Sequence, residues 1–311
     1  MRKKDLDVVV IGNVGVDTQI YLAGQEIDYS LEANFTENKD CVGQAGGYAA
    51  RCYARMGFRT GFIGYLGDDF LGDHIKNVFQ REGIDTSGIF IDPAGTSRSI
   101  NIVYRDGRRR NFYDGKSHMV VKPDLVRCYE ILSRTQLAHF NIPNWARTLL
   151  PLAHEIGLPV ACDIQDIVDP RDPYRKDFIQ AADYLFFSAV NHPDPSSIID
   201  HYLRENPHQV IVAGRGEQGC ALGVDGNVEM YGPAVLDLPV VDTNGAGDVL
   251  ASVFLISHVF QHRSLEESIK RGQIAARIIC SQKTPKDDLI TDQQLEKYMI
   301  ALNFSHENDI I

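Results

Sequence analysis

The amino-acid sequence predicts an α/β protein with an open, mainly parallel sheet flanked by helices and a small β-flap. From about residue 124 onward, short apolar runs alternate with helical stretches, and repeated βα units with right-handed crossovers build such a sheet. Near the N-terminus, a continuous β-branched run, Val8-Val9-Val10-Ile11, ends at Gly12, which is typical of a buried parallel strand. Residues 89 to 113 alternate apolar and polar positions between turn residues, and this pattern predicts the strands of the flap.

The first half of the chain supplies the next elements. Extended chain continues after Gly15, and the polar residues 22 to 42 predict a loop or an excursion from the main sheet. A helix is expected from Gln44 to Gly57, where glycine is a common helix terminator. A second strand at residues 60 to 64 is followed by a helix that carries Phe79. No GxGxxG opens a helix after the first strand, which argues against a dinucleotide-binding fold.

The second half of the chain predicts a cleft at one edge of the sheet. Four strands are expected at residues 138–142, 159–163, 184–187 and 210–213. Ligands of open α/β sheets bind beyond the carboxyl ends of the strands. The polar or small residues expected at those ends are Asn141, Asp163, Ser188 and Gly214. A hairpin turn at residues 223–227 and helices at 264–282 and 293–302 complete the pattern.

We expect a single domain over residues 1 to 311, because the sequence has no repeat, low-complexity tract or interdomain linker. The flap would be inserted at about residues 17–42 and 89–116. A chain of this length can bury a large core.

Composition limits the classes of function. Of the 311 residues, 44% are hydrophobic and 23% charged, as in globular proteins, and the formal net charge is −11. A nucleic-acid partner is not expected, because such binding depends on basic patches. Six cysteines without CxxC spacing predict free buried thiols in a reducing compartment. No secretory signal or membrane span is recognisable, so we expect a cytoplasmic protein without a membrane partner.

The most informative stretch is Asp242-Thr243-Asn244-Gly245-Ala246-Gly247-Asp248, which lies between two apolar runs. The run at residues 238–241 predicts the end of a strand, and the run at 249–256 predicts a buried helix. Glycines at such a turn let the backbone approach a ligand, and the first N–H groups of the helix favour an anion such as phosphate. Asp248 at this site is suited to take a proton from an attacking hydroxyl. Alternatively, Asp248 only caps the helix and Asp242 only orders the turn.

Two further stretches are candidates for ligand binding. Gly46 and Gly47 open the first helix and permit close approach of backbone to a ligand, or form an ordinary turn. Arg108-Arg109-Arg110 could clamp an anionic substrate or form a solvated turn.

Taken together, these stretches resemble the PfkB/ribokinase family of carbohydrate and nucleoside kinases. The resemblance covers nearly the whole chain and rests on residues 12–17, 46–47, 64–72, 216–219 and 242–248. Its most specific part is DTNGAGD, which matches the family's DTxGAGD signature at every fixed position. The implied fold is ribokinase-like, with the flap as a β-sheet lid that often forms a dimer interface.

The resemblance implies roles for individual residues. Asp248 would be the catalytic base, and the backbone N–H groups of Gly245, Ala246 and Gly247 would form the anion hole. The substrate-binding residues would be Asp17, Gly46, Gly47 and Asn141. The ATP-binding residues would be Asp163, Ser188, Gly214, Gly216, Gly219 and Thr243. ATP and Mg²⁺ are the implied cofactors.

The chain departs from the family pattern at several positions. Arg51 stands where the family's GGxxxN has Asn, and Asn141 stands where ribokinases often have Glu. Gly214 replaces a frequent Thr, and Ser188 to Asn191 lacks the usual NxxE motif that helps to organise magnesium, so the metal ligands stay open. A Gly-Ala pair for a monovalent cation is not evident around Lys283-Thr284-Pro285.

The resulting expectation is an ATP-dependent kinase that phosphorylates a hydroxyl of a small sugar or nucleoside and possesses a homodimer interface on its lid. One alternative is a sugar- or nucleotide-binding regulatory protein with weakened catalysis, which the altered Ser188 to Asn191 region motivates. Another is a vitamin kinase of the same fold, which aromatic residues around the lid, such as Tyr104, Phe112 and Tyr113, would favour.

Overall fold

The computed structural model describes residues 4 to 284 and 289 to 308, without the side chains of 301 to 308. The described chain forms a nine-stranded sheet and a separate four-stranded sheet. The strands are β1 (Val8–Ile11), β2 (Gly15–Leu22), β3 (Thr36–Gly43), β4 (Thr60–Leu66), β5 (Asp85–Ile91), β6 (Ser97–Val103), β7 (Arg109–Asp114), β8 (Leu137–Phe140), β9 (Val160–Asp166), β10 (Tyr184–Ser188), β11 (Val210–Gly214), β12 (Cys220–Val224) and β13 (Asn227–Tyr231).

Helices cover the larger sheet. They are α1 (Gln44–Arg55), α2 (Phe70–Arg81), α3 (Leu125–Leu132), α4 (Leu150–Glu155), α5 (Lys176–Ala181), α6 (Ser196–Glu205), α7 (Ala246–Leu255), α8 (Leu265–Cys280) and α9 (Asp292–Asn308). A π-helical turn, Ile256–Phe260, extends α7. None of the helices in the described ranges combines the length and the apolar character that crossing a membrane requires.

The larger sheet has the strand order β13-β12-β11-β10-β9-β8-β1-β4-β5. Strands β11 to β5 in this order pair in parallel, and β12 at one edge pairs antiparallel with both β11 and β13. The predicted α/β class with an open, mainly parallel sheet is confirmed. All four strands predicted in the second half of the chain are present.

The core lies on both faces of the larger sheet. In β1, Val8 and Val10 belong to one apolar cluster while Val9 and Ile11 belong to the other. Side chains of a strand alternate between faces, so a strand covered on both sides needs apolar residues at every position. This requirement accounts for the unbroken apolar run from which the strand was predicted.

The smaller sheet, with strand order β3-β2-β6-β7, is the lid. Residues 36 to 43 form β3 and pair with β2 along their whole length, so of the two predictions for residues 22 to 42, a loop or an excursion from the main sheet, these residues follow the second. One detail differs from expectation. Residues 89 to 91 end β5 in the larger sheet, because they pair with β4, so the second lid segment begins at Ser97. The single domain over residues 1 to 311 stays a prediction.

The prediction of a strand end at residues 238–241 is wrong. This run has no strand pairing, and Val240 is 56% exposed. The N–H groups of Val241 and Asp242 both donate to the carbonyl of Cys280 at the end of α8, at 2.8 and 3.1 Å. Pro239 has no N–H group to give to a sheet. The run is therefore a connection that is fastened to α8, and the predicted strand-to-helix turn is a loop-to-helix turn.

The six cysteines are free, as predicted, and all except Cys280 are buried.

A buried arginine fastens the C-terminal helix to the body. Arg271 of α8 is completely buried, and its guanidinium contacts Glu296 Oε1 at 2.6 Å and Asp292 Oδ1 at 3.0 Å on α9. Its Nε donates to Ser257 Oγ in the π-helical turn at 3.0 Å. One side chain thus joins three helical segments.

We expect Arg271→Leu to lower the free energy of unfolding by about 2 kcal/mol, because charged hydrogen bonds to two helices are lost. Its neighbour Lys270 makes an exposed ion pair with Glu266 in the same helix, and Lys270→Leu should change stability by less than about 0.5 kcal/mol. Urea unfolding of both variants measures the difference. Equal effects of the two substitutions would contradict the role given to Arg271.

Candidate active site

The signature turn, residues 242 to 248, leads into α7 through a residue in the left-handed region. Gly245 has φ +80°, and a Cβ atom there would lie 3.0 Å from Cδ1 of the Tyr48 ring. Both the backbone angle and the tyrosine therefore favour glycine. The Val249 N–H donates to the carbonyl of Gly245 at 3.0 Å and forms the first helical bond of α7.

Backbone N–H groups at this helix start are available to an anion. The Ala246 N–H donates to the carbonyl of Thr243 at 3.3 Å. No acceptor within the described residues binds the N–H groups of Gly245, Gly247 or Asp248. Gly247 is exposed, and no atom lies within 4 Å of the position of an added Cβ. These unpaired donors at the positive end of the helix dipole suit a phosphate group.

Asn244, the variable position of the signature, joins the turn to the rest of the site. Its Nδ2 donates to Asp17 Oδ2 at 3.0 Å and to the Tyr48 hydroxyl at 2.9 Å. Its Oδ1 accepts from Arg109 Nη1 of the lid at 2.6 Å. The carboxamide can serve both kinds of partner because it has donors on nitrogen and acceptor sites on oxygen.

The first aspartate of the signature orders the turn. Asp242 Oδ1 accepts from the Asn244 N–H at 2.9 Å, and its Oδ2 accepts from the Tyr21 hydroxyl at 3.0 Å and from Thr284 Oγ1 at 3.2 Å. The residue therefore connects the turn to the lid and to the chain after α8. Pro285, part of the stretch compared with the family's monovalent-cation site, lies outside the described residues.

Asp17 of the lid lies beside the start of α1. Its side chain is 3% exposed, and its Oδ2 accepts from the Gln44 N–H at 3.1 Å as well as from Asn244. Burial raises the pKa of Asp17 above the usual aspartate range, although these hydrogen bonds oppose the shift. Its role in substrate binding stays a prediction.

The glycine pair of α1 is closely packed against protein. A Cβ on Gly46 would lie 2.6 Å from the carbonyl oxygen of Asn13, and one on Gly47 would lie 3.1 Å from Val14 Cγ2. The small size of both residues thus lets α1 pack against the connection between β1 and β2. Substrate binding by their backbone stays a prediction.

A second aspartate shapes the surroundings of Asp248. Burial, followed by the negative charge of Asp163, raises the pKa of Asp248 well above the usual range. The positive charge of Arg109 and a hydrogen bond from the Gln165 side chain oppose this shift. Burial also raises the pKa of Asp163 to about 6. Both carboxyl groups therefore bind protons more tightly than exposed aspartates do.

An irregularity in β9 places Gln165 near Asp248. The pairing of β9 with β10 shifts register between Phe186 and Ser188, and Gln165 has φ +61°. The Gln165 N–H donates to Asp163 Oδ1 at 2.9 Å. Strand bulges of this kind redirect side chains and are frequent near active sites.

The remaining predicted residues lie along the carboxyl edge of the sheet. Ser188 and Gly214 end adjacent strands and are directly paired. Gly216 and Gly219 both have positive φ and close a tight turn after β11. Asn141 follows β8, is 2% exposed and has no hydrogen-bond partner for its carboxamide among the described residues. Roles of these residues and of Thr243 in binding stay predictions.

Two residues of β7 that were already noted in the sequence contact other parts of the site. Arg109, for which the arginine run allowed an anion clamp or a solvated turn, contacts Asn244 of the signature turn. Asn13 Nδ2 also donates to the hydroxyl of Tyr113 in β7. Tyr48, Gln165 and Asn244 carried no sequence signal, because their roles depend on contacts between distant segments. Arg51, where the family has Asn, forms a buried ion pair with Glu82.

Comparison with known proteins identifies the family. The pfkB family carbohydrate kinase model matches residues 5–292. The chain is 28% identical to the acarbose 7(IV)-phosphotransferase of Actinoplanes sp., covering 88% of this chain and 92% of that protein. It is 25% identical to the 5-dehydro-2-deoxygluconokinase of Photobacterium profundum, covering 94% and 95%.

Solved structures agree with this match. A microbiome-derived acarbose kinase superposes with a TM-score of 0.87 at 26% identity, covering 95% of this chain and 99% of the other. The ribokinase of Arabidopsis thaliana has the same fold, with a TM-score of 0.77 at 18% identity and coverage of 94% and 98%. The fold, the signature turn and these matches show that the chain belongs to the PfkB family of carbohydrate kinases, phosphotransferases with an alcohol group as acceptor.

Proposed function

We propose that the chain transfers the γ-phosphoryl group of ATP to a hydroxyl of a small sugar, with Asp248 as general base. The observation that carries the proposal is the position of Asp248 in the first turn of α7, directly after backbone N–H groups that have no acceptor. The lid reaches the same turn through Arg109 and Asn244. The proposed proton acceptor Asp248, the anion-binding N–H groups and the lid thus meet at the signature turn.

The residues at this edge of the sheet fit a nucleotide. ATP would supply the phosphoryl group and Mg²⁺ would neutralise phosphate charge. Ser188, Gly214, the turn from Gly216 to Gly219 and Thr243 would hold the nucleotide. The described residues contain no group of three or more His, Cys, Asp or Glu suited to a metal ion. Proteins often bind Mg²⁺ through one or two carboxylates together with substrate phosphates.

Asp248 is suited to general-base work by its surroundings. Its raised pKa makes the carboxylate a stronger base than an exposed aspartate, because burial and Asp163 disfavour the charged form. The positive charge of Arg109 opposes this shift of the Asp248 pKa. The unpaired N–H groups of Gly245 and Gly247, together with that of Ala246 once it leaves the Thr243 carbonyl, would stabilise the charge of the transferring group, since phosphoryl transfer depends mainly on positioning and electrostatics.

A sugar is the favoured acceptor class. The relatives named above are a phosphotransferase of acarbose and a kinase of 5-dehydro-2-deoxygluconate. Both names describe carbohydrates, which supports a sugar over a nucleoside or a vitamin.

The outer face of the lid supports a homodimer. Ile100 and Phe112 are a cross-strand pair on β6 and β7 and are 41% and 55% exposed. Apolar pairs on an exposed sheet face are frequent in protein interfaces. We propose that two copies associate through this face.

Asp248→Asn should reduce kcat by more than about a hundredfold, because the amide cannot accept the hydroxyl proton. Steady-state assays with Mg·ATP and a panel of pentoses and hexoses measure this loss. Asp225→Asn, in the exposed β12–β13 turn, is the matched control and should retain wild-type activity. Activity of Asp248→Asn within tenfold of wild type would show that another group is the base.

The regulatory alternative makes a different prediction for the wild-type protein. Calorimetry would then detect binding of Mg·ATP and a sugar without product in the same mixture. Formation of a phosphorylated sugar in this mixture excludes the regulatory alternative.

Asp163→Asn should stabilise the protein more at pH 8 than at pH 5. A carboxyl group whose pKa is raised by folding contributes stability at low pH and loses it as pH rises through its folded pKa, here about 6. Neutral Asn avoids this loss. Thermal unfolding at both pH values should show a difference on the order of 1 kcal/mol in the benefit of the substitution. A stabilisation by Asp163→Asn that is the same at both pH values would refute the raised pKa of Asp163. The control substitution Asp225→Asn should not stabilise the protein at either pH.

Phe112→Lys should convert the protein to a monomer, because a charge in the middle of the dimer interface would lose its water. Light scattering should change from twice the 34.7 kDa of one chain to this mass. Val168→Lys alters a residue that is 73% exposed outside the lid and should leave the dimer intact. A wild-type protein that is monomeric at all concentrations would contradict the proposed interface.

A further inference from the structure

The inner face of the lid presents a row of polar side chains to the signature turn. Side chains of a strand alternate, so Asp17, Gln19 and Tyr21 of β2 lie on one face. Asp17 contacts Asn244 and Tyr21 contacts Asp242, at 3.0 Å in each case. Gln19 lies between them and therefore faces the same turn.

Gln19 is buried without a hydrogen-bond partner. Its exposed fraction is 0%, and neither Oε1 nor Nε2 has a partner in the described part of the chain. Asn101, its cross-strand neighbour on β6, is 1% exposed, and its Nδ2 is also unpaired there. Buried polar groups in native proteins are nearly always paired, and an unpaired one is destabilising. Two such neighbours on the face that covers the reaction site indicate groups that bind a ligand.

The unpaired atoms include both donors and an acceptor. Gln19 Nε2 and Asn101 Nδ2 can donate, whereas Gln19 Oε1 can only accept. A sugar hydroxyl both donates and accepts and can satisfy all three atoms. A carboxylate accepts only, so it would leave Gln19 Oε1 unpaired.

The charges around this pair disfavour an anion. Asp17 lies two residues away from Gln19 on the same face, and the negative charges of Asp17 and Asp163 both act on Asp248 of the turn. The cations that neighbour this pair contact other groups of the protein. Arg109 is bound to Asn244 Oδ1 at 2.6 Å and approaches Asn101 Oδ1 at 3.5 Å. Lys39, opposite Gln19 on β3, pairs with Glu37 at 3.1 Å.

We propose that Gln19 and Asn101 form a specificity subsite that binds hydroxyl groups of an uncharged sugar and selects against sugar acids. The inference rests on the proposed kinase function, because it concerns the acceptor of that reaction. The inference chooses between uncharged sugars and sugar acids as acceptors, a choice that the names of the two relatives do not make.

The first experiment compares matched neutral and acidic sugars. Glucose with glucuronate, galactose with galacturonate, and maltose with maltobionate are tested for phosphorylation by the full-length protein, and for binding by calorimetry. We expect the neutral member to have at least about a tenfold higher kcat/KM or affinity, the effect of one or two lost hydrogen bonds. Preference for the acids, or binding of neither member in any pair, overturns the subsite. Binding of neutral sugars without phosphorylation retains the subsite and refutes the kinase function.

The second experiment substitutes Gln19 itself. Gln19→Met keeps the length of the side chain and removes both polar atoms. We expect the KM or Kd for the best neutral sugar to rise about tenfold, with an unchanged KM for ATP. The thermal midpoint should stay the same or rise, because no hydrogen bond within the protein is lost.

A structural role of Gln19 predicts the opposite pattern. A lower thermal midpoint with unchanged sugar affinity would show that Gln19 supports the lid and would overturn the proposal. Thr18→Val is the matched control, because Thr18 is the next residue on the outer face and its hydroxyl donates to Asp40 Oδ1 at 2.6 Å. It should leave the sugar affinity unchanged.

Discussion

The hydrogen bonds of the Asn244 carboxamide hold the site together. One side chain contacts the lid through Arg109, the lid carboxylate through Asp17 and helix α1 through Tyr48. The same residue lies one position before Gly245, whose left-handed backbone directs the chain into α7. Together with the bond from Tyr21 of the lid to Asp242, these contacts of Asn244 hold the lid against the turn that carries Asp248. A carboxamide is uncharged, so it can join these groups without adding to the negative charge of the site.

Electrostatics sets the chemistry of the same region. Burial raises the pKa values of Asp17, Asp163 and Asp248 above the usual aspartate range. The negative charges of Asp163 and Asp17 raise the pKa of Asp248 further. Arg109 is the cation that lowers the pKa of both Asp17 and Asp248, and it belongs to the lid. The position of the lid thus affects how readily Asp248 gives up its proton.

The sequence predicted what depends on local pattern. The apolar run of β1 follows from burial on both faces, and the signature turn follows from glycines before an apolar helix. It missed what depends on partners distant in the chain. Residues 36 to 40 are polar because this part of β3 lies exposed at the edge of the lid, and their pairing with β2 decides between a loop and a strand. The bulge at Gln165 and the contact from Arg109 likewise depend on tertiary structure.

Gly245 and Gly46 are glycines for different physical reasons, which the sequence does not distinguish. Gly245 adopts a backbone angle that other residues rarely adopt, whereas Gly46 has no such angle and is small because Asn13 leaves no space for a Cβ. In the sequence, both read as sites of close approach to a ligand. The packing of Gly46 brings α1 near β1, and α1 carries Tyr48, whose ring packs against Gly245 and whose hydroxyl bonds Asn244. The glycine pair therefore affects the signature turn through Tyr48, because its packing fixes the position of the helix that carries this tyrosine.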